Sequence, residues 1–368
     1  MHSLFVPVLI VIIVIAVVSY LLGFPVAKTL AWLGAIDKPS ARSSHSIPVV
    51  RGGGMAMAAG AFLLVFLGWP LQWGITSVVL TAGLWIGVVS FLDDIKPVDA
   101  AIRFGSHSVA AVAALVAPKV SGLSWGVDSG GFPWSVVALV WLLGFLWIVG
   151  YTNAFNFMDG INGLAAGQAI VTGFGMALLA GLALHGYDGA PVLWSVAIAS
   201  AALGFLPHNF PQARMFMGDV GSAPLGFLLA VLTLWLAMEA GAWLLVPLAL
   251  LHANFVLDTG ITLLRRILRG ERWYEPHREH FYQRLIRSGK SHAFVTGWEM
   301  ALQGVVLGLM VIYLHAHVAA RVGLIALVIL VWLAFFAFCE RWFRRCNNDG
   351  RPAGGQSLLA CRNLVKAE

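Results

Sequence analysis

Four short polar clusters in an otherwise apolar chain carry the residues able to do chemistry: Phe91-Leu92-Asp93-Asp94, Asn153-Ala154-Phe155-Asn156-Phe157-Met158-Asp159-Gly160, Phe216-Met217-Gly218-Asp219 and Pro276-His277-Arg278-Glu279-His280. Acids and imidazoles are costly at membrane depth, so sequences keep them there mainly for function. Adjacent Asp93 and Asp94 with a distant Asp219 can supply oxygen ligands to Mg2+, which takes few protein carboxylates and keeps positions for water and phosphate oxygens. A metal flanked by cations neutralises the charge that develops in phosphoryl transfer. Each cluster alone also has a plainer use. An Asp-Asp pair equally suits a helix end facing solvent, and Asp219 after Gly218 suits a helix N-cap, a place that also attracts phosphate.

Asn153, Asn156 and Asp159 recur every three residues, so they share one flank of a helix before Gly160 permits a sharp turn. Two amides and an acid offer the hydrogen-bonding menu of a base or a diphosphate, or they satisfy backbone groups at a helix end. Phe216 can stack on a base or pack in the core. His277, Arg278 and His280 crowd cationic and proton-handling groups into four residues, suited to gripping a diphosphate and too few for zinc. Upstream, Arg42, His45 and Arg51 precede the run Gly52-Gly53-Gly54, whose backbone N–H groups can approach a phosphate.

The elements that must position these clusters are membrane spans. The chain of 368 residues is 60% hydrophobic and 11% charged, with repeated apolar runs near the ~20 residues a spanning helix needs. The expected fold class is an all-α polytopic membrane protein of eleven spans, near 4–24, 54–73, 75–92, 104–118, 133–151, 163–184, 191–207, 220–238, 241–260, 294–314 and 319–338. The opening segment lacks a basic n-region and is expected to stay as the first span. Residues 1–345 read as one transmembrane domain, and 346–368 as a polar, turn-rich, disordered tail. Of 23 Lys and Arg residues, only Lys119 and Arg321 fall in loops on the side of the N-terminus, which places the N-terminus in the periplasm and the C-terminus in the cytoplasm. The net charge of +6 is therefore a topology signal and no argument for nucleic acid. Cys339, Cys346 and Cys361 form no disulfide framework. On this topology every polar cluster faces the cytoplasm, where a water-borne substrate meets a membrane-borne one.

Taken together, the ordered set DKPSARSSH and PVVRGGG, FLDD, NAFNFMDGINGLA, FMGDVGSAPLG, and DTGITLLRR followed by PHREHFYQRL, over about residues 37 to 290, resembles the polyprenyl-phosphate N-acetylhexosamine-1-phosphate transferases of glycosyltransferase family 4. The wording of the last loop is most similar to the branch that initiates O-antigen and exopolysaccharide, less to the phospho-N-acetylmuramoyl-pentapeptide transferases. The resemblance implies transfer of a sugar 1-phosphate from a UDP-N-acetylhexosamine to undecaprenyl phosphate in the bacterial inner membrane. The products are UMP and a lipid diphosphate sugar; Mg2+ is the implied cofactor, with Mn2+ as substitute. It further implies that Asp93, Asp94 and Asp159 are catalytic, that Asp219 and Asp94 ligate the metal, and that Asn153, Asn156, Asn162 and Phe216 bind the nucleotide. Arg51, His45, His277, Arg278 and His280 would then bind the diphosphate or sugar. Asn162 departs from the family, which usually has an acid there, so direct metal binding at that position is in doubt. The need for a base stays open, since a lipid phosphate is already ionised near neutral pH. The sugar and the oligomeric state also stay open, a homodimer being one candidate. The competing class is a secondary transporter, but mid-span ionisable groups are few, His252 and Glu299 reading as helix contacts.

Overall fold

The computed structural model describes residues 2–38, 47–67, 71–121, 131–184, 189–272 and 277–348. The helices are α1 (His2–Trp32), α2 (Gly54–Phe62), α3 (Trp73–Ile95), α4 (Ala100–Val120), α5 (Trp134–Met158), α6 (Leu164–Ala183), α7 (Ala190–Asn209), α8 (Asp219–Ala240), α9 (Leu245–Leu250), α10 (Ala253–Leu268), α11 (Phe281–Arg287), α12 (His292–His315) and α13 (Val318–Asn348). The expected all-α polytopic membrane fold is what the chain adopts. Among the described residues, nine helices are long and apolar enough to cross a bilayer, and the α9–α10 pair, bent by 71°, makes a tenth if it counts as one span.

Two expected spans differ in form. The 54–73 segment is α2 followed by a 3-10 turn over Leu63–Leu67, shorter than a straight helical crossing requires. Because Arg51 meets Asp94 at the far end of α3, the ends of the 52–72 segment are nevertheless separated by about the length of α3, about 34 Å at 1.5 Å per residue. The 241–260 segment breaks at Leu251-His252. The Leu251 carbonyl released by the break accepts from Gln168 Nε2 at 2.9 Å, from Thr172 Oγ1 at 3.2 Å and from Gln303 Nε2, so this acceptor is not stranded in the apolar interior. α13 continues through Asn348, three residues into the stretch read as tail; residues 349–368 lie outside the described residues.

One small sheet brings distant loops together at the end of the bundle where the polar clusters lie. Strands β1 (Ile36–Asp37) and β2 (Val49–Arg51) pair antiparallel, and β3 (Met215–Phe216) joins β2 in parallel with Arg51 opposite Phe216. The glycine run then carries the chain into α2. Its N–H groups do not wait for an anion, as the sequence allowed: those of Gly52 and Gly53 donate to the Phe216 carbonyl at 3.2 and 2.8 Å, and that of Gly54 to Met217 at 2.9 Å. Gly54 lies against Gly221, and a Cβ built at Gly54 would sit 2.1 Å from the Gly221 Cα. This glycine-on-glycine contact lets α2 and α8 start side by side, and so sets Arg51 beside Asp219.

Candidate active site

Asp93 and Asp94 occupy the last turn of α3, about 100° apart around the helix, and that difference separates their surroundings. Asp94 points inward, with its side chain 1% exposed. Its carboxylate accepts the backbone N–H groups of Asp219 and Val220 at 3.1 and 3.0 Å, donors that the first turn of α8 cannot satisfy within the helix. It also takes Arg51 Nε at 2.8 Å. Gly218 makes this approach feasible: its φ is +75°, and a Cβ there would lie 2.8 Å from Asp94 Oδ2.

Arg51 closes the arrangement by placing Nη2 2.5 Å from Asp219 Oδ1. Burial works against its charge, but Asp219 and Asp94 outweigh that cost and lift the guanidinium further above its ordinary value. Asp93 faces the other way. It accepts the Val98 N–H at 2.7 Å and Arg103 Nη1 at 2.8 Å, and it lies within hydrogen-bonding range of Asp219. Arg103 Nη1 is also 3.7 Å from Asp219 Oδ2.

Among the described residues no group of three or more His, Cys, Asp and Glu side chains converges as a metal centre. A divalent ion that keeps water and phosphate ligands needs fewer: one or two carboxylates suffice for Mg2+. Asp93 and Asp219 fit that requirement, being adjacent, 11% and 16% exposed, and rimmed by Arg103. Asp94, also expected among the ligands, is engaged here by two N–H groups and a guanidinium, as a strut beneath the pair.

The other clusters assemble around this centre. Asn156 Oδ1 accepts from Ser222 Oγ at 2.6 Å, which ties α5 to the first turn of α8. Asn153 Nδ2 donates to its own helix at the Val149 carbonyl, 2.7 Å away. Asp159, half-buried just past the end of α5, is held well above the ordinary carboxylate range by burial and by the charges of Asp219 and Asp94, against the pull of Arg51. A carboxyl raised in this way stabilises the fold fully below the unfolded value of 3.8 and loses that contribution as pH rises through its folded value. Asp159→Asn is therefore expected to raise the unfolding midpoint by about 2 °C at neutral pH in metal-free buffer, with the gain vanishing on strong acidification. Thermal melts of both proteins across pH check it; an unchanged neutral midpoint would refute the reading.

Asn162, expected at the nucleotide, is engaged in the turn: Nδ2 donates to the Pro211 carbonyl at 3.0 Å, and its backbone carbonyl accepts from Thr296 Oγ1 at 2.8 Å. Phe216 is half-buried and contributes its carbonyl to the glycine run. In the 277–280 loop, His280 is 3% exposed and its Nδ1 lies 3.0 Å from Asp258 Oδ1, an acid that also accepts the Phe281 N–H at 3.0 Å. His280 thus seats the loop rather than facing outward. The His277 ring lies 4.8 Å from that of His280 and is pushed down to about 4 by burial, then by His280 and Arg266, so it is neutral at neutral pH. His45, with Arg42, lies outside the described residues.

Sequence reasoning missed Arg103 as a member of the site. Its signal was available: it falls ten residues after Asp93, in the first turns of a helix that Asp99 caps by accepting the Ala101 N–H at 2.7 Å. The partnership of Asp258 with His280 left no local trace, because the two lie 22 residues apart on separate elements.

Comparison with known proteins agrees with this assembly. The profile of glycosyl transferase family 4 matches residues 76–237, which include Asp93, Asp94, Asp159 and Asp219. The decaprenyl-phosphate N-acetylglucosaminephosphotransferase of Mycobacterium tuberculosis is 33% identical over 308 residues, 75% of each chain. A probable undecaprenyl-phosphate N-acetylglucosaminyl 1-phosphate transferase of Bacillus subtilis is 30% identical over 331 residues, 88% of this chain and 86% of its own. A phospho-N-acetylmuramoyl-pentapeptide-transferase of Heliobacterium modesticaldum is 32% identical over 280 residues, 72% of this chain and 83% of its own. Sharing such identity over most of its length with these transferases, the chain belongs to glycosyl transferase family 4, as a polyprenyl-phosphate hexosamine-1-phosphate transferase.

Proposed function

We propose that this multi-pass membrane protein transfers N-acetylglucosamine 1-phosphate from UDP-N-acetylglucosamine to undecaprenyl phosphate at the cytoplasmic face of the inner membrane, and so initiates a lipid-linked surface polysaccharide. The observation that carries the reading is the meeting of Asp93, Asp94, Asp219, Arg51 and Arg103 at one end of an apolar bundle, where a soluble diphosphate and a lipid phosphate can both arrive. The names of the Mycobacterium and Bacillus relatives support N-acetylglucosamine phosphate as the transferred group and a polyprenyl phosphate as acceptor. The excess of Lys and Arg at this end supports the cytoplasmic assignment.

An oxygen of the lipid phosphate attacks the sugar-linked phosphorus of the donor, the bridging P–O bond breaks, and UMP departs with the electron pair of that bond. Asp93 and Asp219 would hold Mg2+, which would supply charge neutralisation at the diphosphate. Arg103 stands at the rim of those carboxylates, where it can take part of the same charge. Arg51 and Asp94 hold the first turn of α8 so that the Asp219 side chain keeps its direction. Asn156, with its carbonyl engaged by Ser222, retains an NH2 group to donate to the nucleotide. Asp159, raised by its surroundings, holds its proton more tightly than an ordinary carboxyl and suits hydrogen-bond donation better than base catalysis.

Purified protein given undecaprenyl phosphate, Mg2+ and one donor at a time should release UMP with UDP-N-acetylglucosamine. Turnover with UDP-N-acetylmuramoyl-pentapeptide alone would instead establish the activity named for the Heliobacterium relative. Silence with every UDP-amino sugar, in protein that is folded and membrane-inserted, would refute the proposed reaction.

A further inference from the structure

The 277–280 loop is held by α11, a helix of seven residues. Two turns do not sustain themselves in isolation, so its position is set by what it touches. On one side Tyr282 is fully buried and donates its hydroxyl to the Phe157 carbonyl at 3.0 Å. That ring fills the space above Gly160, where a Cβ would come 2.1 Å from the hydroxyl oxygen. Through Tyr282, α11 is docked on the turn that carries Asp159.

The opposite side is held by α13. Phe281 stacks on Phe336 with centroids 4.6 Å apart and planes 16° from parallel. One turn on, Arg284 pairs with Glu340, which also takes Arg265 of α10 at 3.3 Å and Arg344 of its own helix at 2.7 Å. Arg265 lies over the Phe281 ring at 5.0 Å, and Arg284 over Phe343 at 5.3 Å. The Nε of Arg284 donates to the Glu279 carbonyl at 2.9 Å. The guanidinium that Glu340 holds therefore grips the backbone of the loop itself, one residue from His280.

We infer that the C-terminal end of α13, through Glu340 and Phe336, positions the 277–280 loop for the nucleotide sugar, which makes Glu340 a positioning residue outside the profile-matched region 76–237. The inference rests on the proposed reaction and on the role that the family resemblance implies for this loop, binding the donor diphosphate or sugar. A carboxylate shared by three guanidinium groups fixes direction as well as charge, because each planar fork binds only along its own plane. Removing it frees Arg284 and Arg265 from one another's register and lets α11 shift on its Tyr282 anchor. Donor binding should suffer and acceptor binding should not, since the contacts of Glu340 lie on α10, α11 and α13 alone.

The test is steady-state kinetics on the full-length protein. In Glu340→Gln the KM for UDP-N-acetylglucosamine should rise about tenfold, the order expected when a charge-assisted contact is lost, while the KM for undecaprenyl phosphate stays put. Glu340→Asp, which keeps the charge, should recover most of the loss. A purely structural role would lower the active fraction, and with it kcat, and move neither KM. If Glu340→Gln fails to accumulate in the membrane, Phe336→Leu must show the same donor-selective rise. An unchanged donor KM in whichever variant folds overturns the inference. A wild type that releases no UMP with any donor would count against the reaction, whereas an active wild type with an unmoved donor KM counts against Glu340.

Discussion

Asp219→Asn should reduce UMP release by about a thousandfold or more while leaving membrane insertion and fold intact. Asparagine keeps the size of the side chain and can still accept from Arg51. The backbone N–H of residue 219 still reaches Asp94, so the start of α8 survives. What disappears is one of two adjacent carboxylates, and with it the charge that faces both Asp93 and Arg103. A neutral amide beside Asp93 offers a divalent ion a weaker site, so added Mg2+ should restore little. The contrast with Asp94→Asn sharpens the expectation. Asp94 is buried against N–H donors and Arg51, so that variant should lose stability as well as rate, whereas Asp219→Asn should lose rate with a near-native melting midpoint. Rates of UMP release and thermal melts on both variants separate the two roles; full activity in Asp219→Asn would remove Asp219 from the chemistry.

That division of labour between Asp93 and Asp94 marks the limit of what the sequence disclosed. Apolar runs and the placement of acids at their ends were enough to foresee a polytopic helical bundle with Asp93, Asp94, Asp159 and Asp219 at one end of it. Two neighbouring aspartates in a helix, however, differ by a rotation whose outcome depends on what packs against that helix. Here the decisive neighbours are the start of α8 and Gly218, more than a hundred residues away. The glycine run illustrates the same point. Its N–H groups looked available to phosphate until β3 was seen to pair with β2, and a two-residue strand leaves no periodicity to detect. The break within the 241–260 segment was equally hidden, because the acceptor exposed at Leu251 is satisfied by Gln168, Thr172 and Gln303 from other helices. Local pattern foresees elements and the chemistry available to them. Which member of a cluster turns inward is a tertiary property.

Arg51 is where that tertiary property should show the largest energetic effect. Its guanidinium bridges Asp94, 1% exposed, and Asp219, so Arg51→Met leaves a buried carboxylate supported only by two backbone N–H groups, with a second carboxylate nearby and no cation between them. Removing one partner of a buried ion pair costs about 3–5 kcal/mol, and because the Arg51 side chain is 36% exposed the low end, about 3 kcal/mol, is expected. UMP release should fall at least about a hundredfold, since Asp219 loses the contact that fixes its direction. Arg51→Lys should recover part of the stability, because one ammonium can neutralise the pair, but little of the rate, because it cannot reproduce the planar fork that reaches both acids. The double variant Arg51→Met with Asp94→Asn removes the stranded charge together with its partner, so its stability should return well above the sum of the single losses while its activity stays low. Denaturation midpoints and UMP rates on the wild type, Arg51→Met, Asp94→Asn and the double variant measure the coupling directly. Strict additivity of the two stability losses would show that Asp94 and Arg51 act independently, and the strut beneath Asp219 would have to be sought elsewhere.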